Sequence, residues 1–175
     1  MAKTEKFASY RKLAEGKGID YAVVVETSRV VTAPWVRMKC QFGCAGYSES
    51  LCCPPRTPTP DEMRTILDSY VFGILLHRQI RTGGKAVVRL SETAVDVERA
   101  LFLDGYYKAW ALGSGPCGRC KTCNMKTCLH PDRARPSMEA CGIDVYATAR
   151  AYDLPIQVVR ERTEVRNFYA LVLIE

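Results

Sequence analysis

The segment TPDEMRTILDSYVFGILL, residues 59–76, sets the architecture because it places a helix with a marked start directly before a strand. Thr59, with Glu62 three residues later, forms a capping box, and Pro60 occupies the first helical position, where its missing N–H costs little. The apolar residues that follow at helical spacing define the buried face: Met63, Ile66, Leu67 and Tyr70. The short apolar run Phe72–Leu76 then predicts a strand.

Helices and strands alternate on both sides of this segment. Besides that pair, the sequence predicts these elements in chain order: a helix ending at Gly16, strands at Tyr21–Val25 and Ala86–Leu90, a helix capped by Ser91, a helix over Ser137–Tyr152, and strands at Ile156–Val159 and Phe168–Ile174. We therefore expect an α/β or α+β fold, with residues 1–175 as a single domain. Its mixed β-sheet is flanked by helices and carries two irregular, cysteine-rich metal-binding loops, at about 32–60 and 113–136.

The nine cysteines are grouped rather than scattered, with four at residues 40–53 and five at residues 117–141. The number of cysteines is odd, and the chain is long enough to fold without disulfide cross-links. Both features argue against a secreted disulfide scaffold and for metal or redox chemistry. The first six residues mix charges and precede no apolar stretch, so we expect no secretory signal and a cytoplasmic protein. No apolar run is long enough to span a membrane.

The second cysteine loop carries the strongest motif, Cys117-x2-Cys120-x2-Cys123, with Cys128 four residues further on. Thiolates at this spacing wrap one face of a four-iron, four-sulfur (4Fe-4S) cluster, whereas structural zinc more often pairs two distant C-x2-C knuckles. The motif favours iron–sulfur over zinc. The spacing to Cys128 departs from the ferredoxin run, so the loop that Cys128 serves stays open, and His130 is either a ligand or a surface residue.

The first cysteine loop contains Cys40, Cys44 and the adjacent pair Cys52-Cys53. Neighbouring side chains in extended backbone point in opposite directions, so one member of the pair faces a metal held by Cys40 and Cys44. We favour Cys53, because Pro54 fixes the chain beyond it. Three thiolates would leave one iron of a cluster open to substrate, unless Cys52, Cys128, Cys141 or a residue of a partner supplies the fourth ligand.

Several other residues have simpler interpretations. We expect Cys141 to pack in the core, with metal ligation as the alternative, and Glu139 to be a first-turn carboxylate, with a general-acid role as the alternative. Arg133 and Arg135 either interact with cluster sulfides or an anionic substrate, or belong to a solvated loop. The remaining basic clusters lack aromatic stacking motifs, so nucleic acid is a disfavoured partner.

Seven motifs together resemble a family of predicted metal-binding, cysteine-rich proteins of unknown function, common in anaerobic bacteria and archaea. They are Lys39-Cys40, Cys44, Cys53-Pro54-Pro55, Gly105–Ala109, Gly115–Cys123, Arg135–Val145 and Leu171–Glu175. The resemblance covers almost the whole chain and implies a ligand set of Cys40, Cys44, Cys53, Cys117, Cys120, Cys123 and Cys128. It also implies that Cys52 is a variable position and that the segment 135–139 is a candidate site wall.

The leading hypothesis is an iron–sulfur protein with one or two 4Fe-4S clusters, acting in electron transfer or in cluster-based redox catalysis at the first cysteine loop. The alternative is a zinc-binding protein without catalytic activity, whose loops are structural or bind a partner. A redox protein and a second copy of the chain, as a homodimer, are the partners that fit the first hypothesis.

Overall fold

The computed structural model describes residues 5–81, 85–161 and 163–175. Residues 1–4, part of the stretch from which we expect no secretory signal, lie outside this description. The elements in chain order are α1 (Ala8–Gly16), β1 (Tyr21–Glu26), a 3-10 turn (Thr27–Arg29), α2 (Pro34–Gly43), α3 (Pro60–Asp68), β2 (Phe72–Ile80), α4 (Lys85–Leu103), β3 (Trp110–Leu112), a second 3-10 turn (Glu139–Cys141), α5 (Val145–Arg150) and β4 (Arg166–Leu173).

The strands form one four-stranded sheet in the order β1-β2-β4-β3. All three pairings are antiparallel, with Leu75 of β2 opposite both Val23 of β1 and Leu171 of β4. The expected α/β or α+β class is confirmed, while the sheet differs from the mixed sheet that we expected. The antiparallel pairing arises because β4, the last strand, enters between β2 and β3 and runs against both.

Each face of the sheet is covered by its own set of helices. Along β2, Ile74 and Leu76 pack with α1 and α4, while Leu75 between them packs with α3 and α5 on the other side. Successive side chains of a strand point to opposite faces, so this alternation requires apolar cover on both. The continuous apolar run in β2 is therefore the sequence signature of a strand buried between two layers.

The predicted start of α3 is confirmed. The Thr59 hydroxyl accepts a hydrogen bond from the Glu62 amide, and the Glu62 carboxylate accepts one from the Thr59 amide at 2.7 Å, with Pro60 in the first turn. Two backbone donors at the helix start are thereby satisfied. The helix begins at the residue that the capping box indicates.

The predicted strand at Ala86–Leu90 is wrong, because these residues belong to α4. The buried side chains Val87, Leu90, Ala94, Val97 and Leu101 recur at intervals of three and four residues along one helix face. Ser91 does not cap this helix. It lies inside the helix and accepts a hydrogen bond from the Ser114 amide at 3.0 Å.

Three further predictions need correction. The loop predicted at residues 32–60 begins with α2, which starts at Pro34 and carries Cys40 near its end. The helix predicted over Ser137–Tyr152 is divided at Gly142, whose φ of 78° ends the second 3-10 turn before Asp144 caps α5. Residues 156–159, predicted as a strand, have no regular secondary structure.

The segments that carry the cysteines are joined by backbone pairing away from the sheet. Thr32 pairs with Ile143 in an antiparallel bridge, and the Ala33 amide donates to the Gly142 carbonyl at 2.9 Å. This pairing sets α2 against the second 3-10 turn. Across the described ranges, every helix is too short or too polar to cross a membrane.

Candidate metal centres

Five cysteines surround one small cavity at the second cysteine loop. Four of them come from the loop itself, and Cys52 reaches the cavity from the first loop; the complete set is Cys52, Cys117, Cys120, Cys123 and Cys128. All five are half-buried, free thiols. We define them as the second thiol group, and His130 lines the same cavity.

The Cys52 and Cys117 side chains share a hydrogen bond. This bond, followed by the amide and the charge of Arg119, lowers the pKa of Cys117 to about 6, while the same bond and burial raise the pKa of Cys52. Cysteine binds metal as the deprotonated thiolate, so the environment of Cys117 favours the form that binds metal.

The base of the second loop is closed by backbone hydrogen bonds. The Gly113 amide donates to the Pro136 carbonyl at 2.7 Å, and the Met138 amide donates to the Gly113 carbonyl at 3.1 Å. Gly113 fits because a Cβ there would lie 2.8 Å from the Ser91 hydroxyl of α4. The loop therefore leaves and rejoins the fold at one place, against α4.

Three ion pairs fasten the second loop to α4. They join Arg119 to Glu92 at 3.2 Å, Arg133 to Asp96 at 2.6 Å, and Arg135 to Glu98 at 2.5 Å. The last pair is bidentate and nearly buried, and the Arg135 guanidinium also lies 4.3 Å from the centre of the Trp110 ring. Arg133 and Arg135 are therefore occupied in holding the loop, a role that the sequence did not reveal.

Cys40, Cys44 and Cys53 form a separate group, which we define as the first thiol group. Cys40 lies in the last turn of α2, Cys44 follows that helix directly, and the Ser50 hydroxyl donates to the Cys53 sulfur at 3.2 Å. Burial, then the charges of Glu139, Cys44 and Cys53, raise the pKa of Cys40, and Arg37 opposes this effect. The Cys40 thiol lies 3.9 Å from the Glu139 carbonyl oxygen.

Arg37 connects the elements that carry the first thiol group. Its guanidinium donates to the Pro58 carbonyl at 2.7 Å, to the Ala140 carbonyl at 2.8 Å and to the Thr57 hydroxyl at 3.2 Å. The Thr57 hydroxyl itself donates to the Ala140 carbonyl at 2.5 Å. Arg37 thus ties α2 to the end of the first cysteine loop and to the second 3-10 turn.

A cavity of about 410 Å³ adjoins the first thiol group, with Cys40, Cys44 and Glu139 in its wall. Part of Glu139 is exposed, but its Oε2 atom is buried and has no hydrogen-bond partner among the described residues. Burial raises the pKa of this carboxyl, against the opposing effects of its own amide and the Ser137 hydroxyl.

The adjacent cysteines lie in a turn, with the Cys53 amide donating to the Ser50 carbonyl at 3.1 Å, and not in the extended backbone that we expected, yet their side chains still separate. Cys53 interacts with Cys40, while Cys52 contacts Cys117. Cys52 was the residue that the resemblance implied to be variable, and no sequence signal linked it to the distant second loop. Cys128 lies with the second thiol group, and Cys141 is 1% exposed within the core, where burial raises its pKa to about 12.

The donor set is suited to a soft metal, because both groups consist of thiols and thiolates select zinc, copper(I) and iron–sulfur clusters. Among residues 5–81, 85–161 and 163–175, however, no three Cys, His, Asp or Glu side chains are placed to hold a single ion. The thiols other than that of Cys53 line the two cavities without forming a coordination sphere. The seven-residue ligand set thus stays a prediction.

Comparison with known proteins shows which family the chain belongs to. The profile of the family described as "Predicted metal-binding protein (DUF2284)" matches residues 23–174, which include both thiol groups. No curated protein and no solved structure matches the chain. Because the match extends over most of the sequence, the chain belongs to this family of predicted metal-binding proteins.

Proposed function

We propose that this protein binds a 4Fe-4S cluster through the second thiol group and acts in electron transfer or cluster-based redox chemistry. One observation supports this most directly: the four cysteines of the second loop, Cys117, Cys120, Cys123 and Cys128, line a single cavity. The C-x2-C-x2-C spacing within this set is typical of iron–sulfur proteins, and its third cysteine exceeds what a zinc knuckle uses. The family description supports metal binding in general.

The first thiol group is the second proposed centre. Cys40, Cys44 and Cys53 supply three thiolates, so a four-iron cluster there would keep one iron without a protein ligand. That position adjoins the 410 Å³ cavity through Cys40 and Cys44. When bound, such a cluster supplies an electron-transfer group with a coordination position open to substrate.

The chain's own residues organise both centres. Arg37 holds α2 and the end of the first loop together, and the three ion pairs of α4 hold the second loop. Lys121 and Lys126 are exposed on the second loop, so the proposed redox partner presents an acidic surface here. We place this chemistry in the cytoplasm, where thiols stay reduced, and a homodimer is the alternative assembly.

Metal analysis of protein purified without oxygen tests the proposal. We expect about four iron and four sulfide ions per chain for one cluster, about eight of each for two, and an electron paramagnetic resonance signal on reduction. A colourless protein with stoichiometric zinc and no sulfide would contradict the proposal and support the structural zinc alternative.

Cysteine variants assign the centres. Cys120→Ser should remove the iron of the second group and keep that of the first, whereas Cys44→Ser should do the reverse. Cys141→Ala is the matched control, because this cysteine is buried in the core and lines neither of the two cavities. Loss of both centres in Cys141→Ala at an unchanged melting temperature would show that the ligand assignment is wrong.

A further inference from the structure

The cavity beside the first thiol group has the dimensions of a small-molecule site. It measures about 410 Å³ and lies between α2, the second 3-10 turn, residues 156–159 and the start of β4. Ligand sites are commonly clefts of about 300 to 1,000 Å³ with mostly apolar walls and a few polar groups. This cavity fits that description, since its wall includes Trp35, Ile143, Val145 and Phe168.

Two buried polar atoms in this wall have no protein partner. Over the described part of the chain, three buried side-chain atoms lack a hydrogen bond: His77 Nδ1, Glu139 Oε2 and Arg166 Nε. Glu139 and Arg166 both line the cavity. Buried polar groups are nearly always hydrogen-bonded, so two exceptions at one cavity point to a partner from outside the chain.

The unpartnered Arg166 nitrogen in the wall favours an anion. Arg166 carries a guanidinium cation, and Lys39 adds a second cation at the cavity. Asp144 also lines the cavity, but its carboxylate caps α5 by accepting from the Ala147 amide at 2.9 Å. A guanidinium matches the planar, two-oxygen geometry of a carboxylate.

We infer that this cavity binds a small carboxylic acid with an apolar body, anchored by Arg166 through the carboxylate and by Glu139 through a second polar group. A hydroxyl suits Glu139 because it can both donate and accept a hydrogen bond. The apolar walls hold the rest of the molecule. The binding site itself needs no metal, while the position of the acid next to an open iron at Cys40 rests on the proposed function.

Isothermal titration calorimetry on the full chain, purified without oxygen, tests this inference with phenylacetate, 4-hydroxyphenylacetate and 4-methylpentanoate. The neutral amide phenylacetamide serves as the uncharged probe. We expect at least one acid to bind and phenylacetamide to bind about tenfold more weakly than phenylacetate, because a hydrogen bond to a charged group is lost. Equal affinity for acid and amide, or no binding of any acid at millimolar concentration, would overturn the inference.

Two charge variants locate the site. Arg166→Gln should weaken binding of the acid about tenfold. Arg160→Gln is the matched control, since this exposed arginine lies six residues away, outside the cavity wall, and its loss should leave affinity within about twofold. Equal weakening by both variants would refute a specific role for Arg166. If Arg166→Gln does not fold, the ratio of the affinities of the unaltered protein for phenylacetate and phenylacetamide still tests the inference.

Metal content measured on the same samples separates the two proposals. Acid binding without iron would leave the cavity inference intact and contradict the proposed function. Iron in the protein without acid binding would contradict the cavity inference and leave the proposed function intact.

Discussion

Replacing Arg135 by methionine should strongly destabilise the protein, because it leaves the Glu98 carboxylate nearly buried without its cation. The Arg135 guanidinium donates to Glu98 at 2.5 and 2.8 Å, and the two side chains are only 8% and 12% exposed. Breaking a buried pair by removing one partner costs about 3 to 5 kcal/mol. For a chain of this size, that corresponds to a fall in melting temperature of about 6 to 20 °C.

The loss should also affect metal binding. Another nitrogen of Arg135 donates to the Pro131 and Ala134 carbonyls, so the guanidinium orders the end of the second loop as well as holding it to α4. We expect Arg135→Met to retain less metal at the second thiol group than the unaltered protein. Differential scanning calorimetry and metal analysis on one anaerobic preparation measure both effects.

Two comparisons make this prediction refutable. Lys17→Met also removes an ion pair to α4, with Asp96, but Lys17 is 42% exposed there. Exposed pairs contribute about 0 to 1 kcal/mol, so its melting temperature should fall by less than about 4 °C. In the double variant with Glu98→Met, the orphaned charge is gone, so the loss should be smaller than the sum of the two single losses. A shift for Arg135→Met no larger than that for Lys17→Met would refute the reasoning.

Two further predictions concern the core and its borders. Gly142→Ala should destabilise the protein by more than about 1 kcal/mol, because the φ of Gly142 is positive and a Cβ would lie 2.9 Å from the Pro60 Cα. Chemical denaturation measures this loss. Gly16→Ala is the control, because there is open space around Gly16. Equal midpoints for the two variants would contradict this reading. Burial lowers the pKa of His77 from 6.5, although a hydrogen bond with Asn167 opposes this effect. As the pH falls, His77 is therefore protonated in the unfolded state before it is protonated in the folded state. The stability of the protein should fall as the pH drops below about 6.5. The melting temperature of His77→Gln should decrease less between pH 7 and pH 5, and an unchanged pH dependence would show that other groups are responsible.

The parts of the fold that the sequence predicted are those determined by local chemistry. The capping box involves only Thr59, Glu62 and the backbone between them, so it can be recognised from a few residues. The apolar run of β2 indicates a strand that is buried on both faces. The start of α2 was missed although Pro34 stands at its first position, because the prolines after it suggested an irregular loop. At α4, the β-branched pair Val87-Val88 suggested a strand, but packing of the whole helix against the sheet decided the outcome.

The candidate site was predictable only within each cysteine loop. The spacing of Cys117, Cys120 and Cys123 indicated one group. The separation of Cys52 from Cys53 was also expected, but the argument assumed extended backbone, whereas these two residues lie in a turn. The contact between Cys52 and Cys117 depends on how two distant loops meet, and no local pattern records it. The same is true of the pair Arg135–Glu98, which joins residues 37 positions apart.

The adjacent cysteines Cys52 and Cys53 have a mechanical consequence. One sulfur belongs to each thiol group, and consecutive Cα atoms are held about 3.8 Å apart by the trans peptide unit. The backbone therefore keeps the two groups at a short, nearly fixed separation at this point. A displacement of the Cys52 backbone therefore also moves Cys53, so the positions of the two thiol groups are coupled.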